Sequence, residues 1–301
     1  MFLVFAAAFI LLTPGRLLPV TPVPLELPVL TRPSPLPLPK PAPYPVNRSG
    51  IVPGSEITAE AIIIRDLTSG VYMYKMNSDI QLSPASTTKI LTALVTLDIM
   101  NPDDVVTVNT VMNDGMAMGL FTGERMTVEN LLYGMLIHSG NDAAYALAEN
   151  YPGGVAAFVD AMNAKARTLH LTGSSFTNPV GYDDPGHKMT ALDLSQLASV
   201  ALSNRTISKM VAIPSITVSD VTHTYFHQLK NVNQLLGKIP GVAGIKTGWT
   251  QEAGENLVTL VERNNRKVIM VVLHSQDRFG DTTELIDWVF SSFEWVDFAP
   301  E

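Results

Sequence analysis

Apolar residues recur along this chain in two kinds of run, and the two kinds occupy different parts of it. Apolar, largely β-branched or aromatic runs at 59–65 (AEAIIIR) and 71–75 (VYMYK) flank turn residues at 66–70 (DLTSG), which predicts an N-terminal hairpin. Helical spacing takes over after Pro84, where apolar positions 90, 91, 94, 95 and 97 predict a helix over 86–100. Thr127 can cap a second helix reaching about His138, and Thr190, with Asp193 in the first turn, can cap another over 191–203. Further helical patterns cover 142–150 and 154–169. Strand-like runs return at 245–247, 256–261 and 267–274, with Asn264 and Asn265 as the turn between the last two. An amphipathic helix over 281–292 closes the pattern. Helices in the middle with strands at both ends predict a mixed α/β (α+β) domain. Its antiparallel sheet would be formed from both chain ends, with a helical cluster packed on it.

The first fifty residues follow neither pattern. Residues 2–12 (FLVFAAAFILL) form an eleven-residue apolar run. That is shorter than the ~20 residues needed to span hydrocarbon and fits the apolar region of a signal peptide or a short anchor. No Lys or Arg precedes the run; the first basic residue is Arg16. Thirteen of the 21 prolines lie between Pro14 and Pro53, so this stretch can form neither a helix nor a central strand. An extended, semi-rigid spacer is expected. The chain is thus divided into a signal or N-terminal membrane anchor at 1–18, a proline-rich linker at 19–53 and a folded domain at 54–301.

Composition narrows the chemistry. The 301 residues are 46% hydrophobic, enough for a substantial core. A net charge of -8 argues against nucleic acid, whose phosphates need clustered cations. Having no cysteine, the chain has no disulfide, thiol nucleophile or thiolate metal site. The six histidines contain no HExxH, and His223 and His227 sit four apart in a segment that reads as a strand, which separates them. No metal and no cofactor is expected.

Three short motifs remain. In the first, Ser86 and Lys89 stand at i and i+3, so the hydroxyl and the amine can meet on one helical face, and the amine can serve as base if burial depresses its pKa. Composition alone yields about 0.6 Ser-x-x-Lys pairs in such a chain, so this motif is weak by itself. The second is Ser139-Gly-Asn141, where Ser139 can relay a proton and Asn141 can both donate and accept; a helix C-cap is its ordinary explanation. The third, Lys246-Thr247-Gly248, ends a predicted strand and offers a cation and a hydroxyl to a carboxylate beside an unobstructed backbone. About 0.06 copies of it are expected by chance, so it carries more weight.

In this order the motifs resemble those of the low-molecular-mass penicillin-binding proteins, the serine D-alanyl-D-alanine carboxypeptidases of peptidase family S11. The resemblance extends through 83–90 (SPASTTKI), 139–144 (SGNDAA), 177–181 (TNPVG), 187–193 (HKMTALD) and 246–254 (KTGWTQEAG), and so covers roughly residues 55–292. It implies a penicillin-recognising, β-lactamase/transpeptidase-like fold. It also implies Ser86 as the acylated nucleophile and Lys89 as its base. Ser139 and Asn141 would assist proton transfer, and Lys246 and Thr247 would bind the substrate carboxylate beside Gly248. The backbone N–H groups of Ser86 and Trp249 would form the oxyanion hole. Trp249 is larger than the residues associated with its position, which can alter substrate preference. The partners implied are peptidoglycan stem peptides ending in D-Ala-D-Ala and β-lactam antibiotics, met outside the cytoplasm. Many members continue into a β-rich domain and a C-terminal membrane helix; here the chain stops at Glu301, and the N-terminal apolar run is expected to supply the membrane tether. His187 is expected to be structural, and 178–181 a turn.

Three alternatives share the motifs. A D,D-endopeptidase of cross-links is not separated from a carboxypeptidase by them. A class A β-lactamase needs a glutamate between the second and third motifs to drive water onto the ester. None occurs between Asn150 and Gln251, Glu149 looks misplaced, and Asp183 and Asp184 are unsupported substitutes. An inactive peptidoglycan-binding relative would lack one of the motif side chains, and all are present.

Overall fold

The computed structural model describes residues 41–298 apart from residues 55 and 113. The apolar run at 2–12 and most of the proline-rich segment lie outside the described residues. Strand β1 (Tyr44–Asn47) precedes the hairpin β2 (Ala61–Asp66) and β3 (Tyr72–Met76). A 3₁₀ turn (Ala85–Thr88) runs into α1 (Lys89–Ile99). Short strands β4 (Val105–Thr107) and β5 (Arg125–Thr127) lead to α2 (Val128–Ile137), α3 (Asn141–Glu149) and α4 (Gly154–Thr168). Then come α5 (Ala191–Ser203), α6 (Arg205–Val211), β6 (Ser215–Ser219) and β7 (Phe226–Lys230). Strands β8 (Val242–Thr250), β9 (Gly254–Arg263) and β10 (Arg266–Ser275), helix α7 (Arg278–Ser292) and β11 (Phe293–Val296) finish the chain.

The main sheet has the order β3-β2-β10-β9-β8 with every pairing antiparallel, so both chain ends do build it. Its strands read as continuous apolar runs because both faces are covered. Ala61, Ile63, Val258, Ile269 and Val271 face the helical cluster. Ile62, Ile64, Leu257, Met270 and Val272 face α7 through Leu285, Ile286 and Val289. Side chains of period two are thus divided between two cores rather than between core and water. Thr127 and Thr190 cap α2 and α5 as expected, accepting from the N–H groups of Asn130 and Asp193. Asn264 and Asn265 both have positive φ, the backbone of a tight hairpin turn. His223 lies in the turn between β6 and β7 with φ 55°, outside the expected strand, and only His227 is on β7.

Helix α1 is the centre of the helical layer. All of its residues from Lys89 to Thr96 are buried, so it has no polar face. Its threonines are satisfied internally: Thr92 donates to the Pro179 carbonyl at 2.7 Å and Thr96 to the Thr92 carbonyl at 2.9 Å. The expected start of this helix is revised, because residues 85–88 form a 3₁₀ turn and α1 begins at Lys89.

Ordered structure also begins before the boundary expected near residue 54. β1 pairs with β11 from Tyr44↔Val296 to Asn47↔Phe293. Pro45 is tolerated because this ladder has only two strands, so its missing N–H breaks nothing. β11 is in turn fixed to the sheet by Trp295, which donates to Asp66 at 2.9 Å and stacks on Phe290 at 5.9 Å. Trp288 donates to the Ile51 carbonyl at 3.1 Å. A chain beginning at residue 50 should therefore be less stable than one beginning at residue 41, by about 1–2 kcal/mol for the lost cross-strand pairs. A thermal melt should read this as a drop of roughly 2–8 °C.

Candidate active site

Ala85, just before Ser86, has φ 48°, in the left-handed region that costs a residue with a Cβ roughly 1–2 kcal/mol. The surroundings hold it there. Gly181, at φ 92°, packs against the Ala85 carbonyl so closely that any side chain would overlap it. On the other side, a Cβ on Gly248 would lie 3.0 Å from the Pro84 oxygen and 3.1 Å from the Ser86 nitrogen. With a glycine at 248, strand β8 lies against the Ser86 turn so closely that any side chain there would require the turn to give by a few tenths of an ångström. The turn is also supported from below, where His187 Nε2 lies 2.9 Å from Thr88 Oγ1 while Nδ1 accepts from the Thr177 N–H at 3.1 Å. Burial pushes the His187 pKa down to about 4, so the ring is a neutral structural post.

The 3₁₀ turn brings residues three apart into line, and Lys89 Nζ lies 2.8 Å from Ser86 Oγ. Two further oxygens surround the amine: Asn141 Oδ1 at 2.7 Å and the Val180 carbonyl at 3.0 Å. A neutral amine has two N–H groups for those two acceptors, which leaves its lone pair aimed at the Ser86 hydroxyl. Burial and the nearby Lys246 charge hold the Lys89 pKa well below the usual lysine range, against a smaller opposing effect from Asp142. Among the described residues no carboxylate pairs with Lys89.

Ser139 joins the end of α2 to the start of α3 with φ 63°. Helix termination and a place in the site therefore coincide at this residue. Its Oγ accepts from Lys246 Nζ at 2.8 Å. Burial, with Arg278 nearby, pushes the Lys246 pKa down to about 7. Asn141 is fully engaged, since its Nδ2 donates to the Asp114 carbonyl at 2.8 Å and to Tyr182 Oη at 3.3 Å. The next residue, Asp142, is buried and accepts from the N–H groups of Met118, Gly119 and Leu120, which fixes the segment that carries Gly115 and Met116.

Ser86, Ser139, Asn141, Thr247, Gly248 and Trp249 line one cleft of about 450 Å³, and Lys89 and Lys246 stand buried behind them. All eight residues singled out by the motifs are thus brought together. Sequence reasoning missed Gly115, Met116, Tyr182, Val232 and Arg278, which line the same cleft. Arg278 opens α7 and donates to the Gly248 carbonyl at 2.7 Å. It belongs to no motif, and only the fold carries it into the cleft beside Gly248.

The profile of the D-alanyl-D-alanine carboxypeptidase family, peptidase S11, matches residues 48–277. The chain belongs to this family. It is 33% identical over 246 residues to the D-alanyl-D-alanine carboxypeptidase DacF of Bacillus subtilis, covering 78% of this chain and 63% of that one. With DacB2 of Mycobacterium tuberculosis it shares 33% over 256 residues, covering 82% and 87%. A D-alanyl-D-alanine endopeptidase of Pseudomonas aeruginosa is 32% identical over 253 residues, 81% of each chain. The DD-transpeptidase of Streptomyces strain K15 superposes with a TM-score of 0.75 at 32% identity, over 80% of this chain and 100% of that one. The chain therefore spans under two-thirds of the Bacillus relative and most of the other three. The family fold is the penicillin-binding, transpeptidase-like α/β architecture expected from the motifs.

Within this family fold, no carboxylate lines the cleft among the described residues. Asp183 accepts from Thr250 Oγ1 at 2.6 Å, Asp184 accepts from the Gly186 N–H at 2.7 Å, and Glu149 accepts from the Thr110 N–H at 3.1 Å. All three are turned to structural partners. Glu252 pairs with Lys188 and accepts from Ser83 Oγ at 3.0 Å, which ties the β8–β9 turn to the segment before Ser86.

The state of Lys89 depends on its buried neighbour Lys246. With labelled lysine side chains, an NMR titration is expected to show Lys246 changing charge near pH 7. Lys89 should already be neutral well below the range of an ordinary lysine. Lys246→Met removes a positive neighbour that disfavours protonation of Lys89, so the Lys89 midpoint should rise. An unchanged or lower midpoint would contradict the proposed coupling.

Proposed function

We propose that this protein is a serine D-alanyl-D-alanine carboxypeptidase that removes the terminal D-Ala from peptidoglycan stem peptides. The observation that carries this reading is the 2.8 Å approach of the fully buried Lys89 amine to Oγ of Ser86, which lines the cleft. Neutral Lys89 takes the Ser86 proton as Oγ attacks the carbonyl of the penultimate D-Ala. The oxyanion is held by the N–H groups of Ser86 and Trp249; two such donors supply several kcal/mol. We assign Ser139, bonded to Lys246, to relay the proton taken by Lys89 to the departing amine, which leaves Lys89 neutral again for the water step. Free D-Ala leaves, and water hydrolyses the ester at Ser86. No cofactor enters this sequence.

Specificity for a terminal residue comes from the other end of the cleft. Lys246, Thr247 and Arg278 gather two cations and a hydroxyl around the place of a free carboxylate. An endopeptidase would have to place a continuing chain there. The Pseudomonas relative bears that name, but the cationic end favours the carboxypeptidase reading here. β-Lactams should acylate the same serine, because their ring amide and carboxylate match the two halves of the site.

Mass spectrometry of the intact protein after a penicillin is added should show a long-lived adduct that Ser86→Ala lacks. D-Ala should then be released from a model stem peptide by the wild type only. A fast-vanishing adduct with destruction of the drug would favour a β-lactamase, and no adduct on folded protein would favour a binding module.

A substrate in peptidoglycan places the enzyme outside the cytoplasm. We assign residues 1–18 to a signal or anchor and the following proline-rich segment to a spacer that holds the domain off the membrane. No helix of the described residues is long and apolar enough to cross a membrane, and we assign the proposed tether to the N-terminal segment. Removing residues 1–40, which spares β1, should move the enzyme from the membrane to the soluble fraction, and retention at the membrane would refute the tether.

A further inference from the structure

The cleft has a direction. On the carboxypeptidase reading, Lys246, Thr247 and Arg278 mark the side of the departing D-Ala, and the acyl part of the substrate extends the other way from Ser86. Apart from Arg278 and the motif residues up to Gly248, the cleft is lined by Gly115, Met116, Tyr182, Val232 and Trp249. Trp249 is 63% exposed and Met116 45% exposed, although both line a concave site. They come from different segments: Trp249 from β8 and Met116 from the segment tied to the start of α3 by Asp142 and by the Asn141 N–H, which donates to the Met116 carbonyl at 2.7 Å.

The polar groups nearby are already engaged. Tyr182 Oη donates to the Asp114 carbonyl at 3.0 Å and receives Asn141 Nδ2. Asn141 Oδ1 is held by Lys89, and the Thr250 hydroxyl by Asp183. What this flank offers an incoming group is an indole face, a thioether and the body of a phenol. Such surfaces reward the removal of methylenes from water, and the polar edge they add is the indole N–H of Trp249.

We propose that the side chains of Trp249 and Met116 form a specificity wall for the substrate residue that precedes D-Ala-D-Ala, and that this wall selects an unbranched aliphatic side chain. This rests on the carboxypeptidase reading and deepens it. The backbone N–H of Trp249 belongs to the oxyanion hole, while its indole, carried by the same residue, meets the side chain upstream of the reacting carbonyl. A bulky aromatic at this position couples the chemistry to the identity of the acyl group.

The test compares D-Ala release from N-acetyl-norleucyl-D-Ala-D-Ala with release from N-acetyl-glycyl-D-Ala-D-Ala, as a ratio of kcat/KM values on the full chain. The wild type is expected to favour the norleucyl peptide by roughly 10-fold, the scale of one apolar contact in an open pocket. Trp249→Ala should bring the ratio to within about threefold of unity, Met116→Ala should lower it in part, and Trp249→Phe should keep most of it. Any effect on the oxyanion hole divides out of the ratio. The penicillin adduct on each variant reports that its site is folded. A ratio near unity in the wild type, or an unchanged ratio in Trp249→Ala, overturns the wall. No D-Ala release from either peptide by a wild type that forms the adduct overturns the carboxypeptidase reading and the wall with it.

Discussion

Lys89 is an amine buried at the head of a helix that is itself buried on every side. A charged ammonium in that position would need a carboxylate partner, and none pairs with it among the described residues. Solvation therefore makes it neutral, and neutrality makes it a base. The rest of the site follows from keeping that amine dry and correctly aimed. Asn141 and the Val180 carbonyl take its two N–H groups. Asn141 is held by Asp114 and Tyr182, and the Val180 carbonyl by the turn that closes at Gly181. The glycine against Ala85 and the glycine of β8 let two further segments press on the Ser86 turn from opposite sides. Local strain at Ala85 persists because three segments over-determine it.

The two lysines have similar burial but different surroundings. Lys89 meets two carbonyl oxygens and a hydroxyl inside the helical layer, whereas Lys246 lies on an edge strand near the Arg278 guanidinium. Each positive neighbour disfavours protonation of the next, so the order of charge runs from Arg278 through Lys246 to Lys89. In the proposed reaction, a carboxylate bound beside Arg278 and Lys246 stabilises those cations and partly offsets the field that disfavours protonation of Lys89, so the amine becomes a stronger base as substrate binds. Binding the chain terminus and activating Lys89 are then one electrostatic arrangement rather than two.

Much of this was legible in the sequence, and the limits have physical causes. Thr127 and Thr190 announced their helices because an N-cap is a local interaction. The runs in β2, β9 and β10 announced strands because both faces of the sheet are covered, so apolar residues are continuous there. The motifs named six cleft-lining residues and both lysines, since Ser86–Lys89 and Lys246–Gly248 are short-range patterns. What escaped was set by distant contacts. β1 was hidden in proline-rich sequence because its partner, β11, lies some 250 residues away. Arg278 has no local signature, and the Val180 carbonyl is a backbone atom whose role exists only once Gly181 packs on Ala85. The ladders β4–β5 and β6–β7 have only three to five residues per strand, too few for a period to stand out, although the segment around His227 reads as a strand.

On the proposed reaction, the fate of the acyl group follows from the same geometry. With no carboxylate lining the cleft among the described residues, Lys89 is the base we assign to activate water at the ester. After a peptide is cleaved, the departing D-Ala is a separate molecule and vacates the side of the ester where Ser139 and Lys246 stand. After a β-lactam ring opens, the amine remains covalently attached to the acyl group and stays on that side. The peptide ester is then open to water while the drug ester is shielded by its own leaving group. Slow release of a β-lactam and turnover of a peptide need no second base to tell them apart, because the difference lies in whether the leaving group can leave.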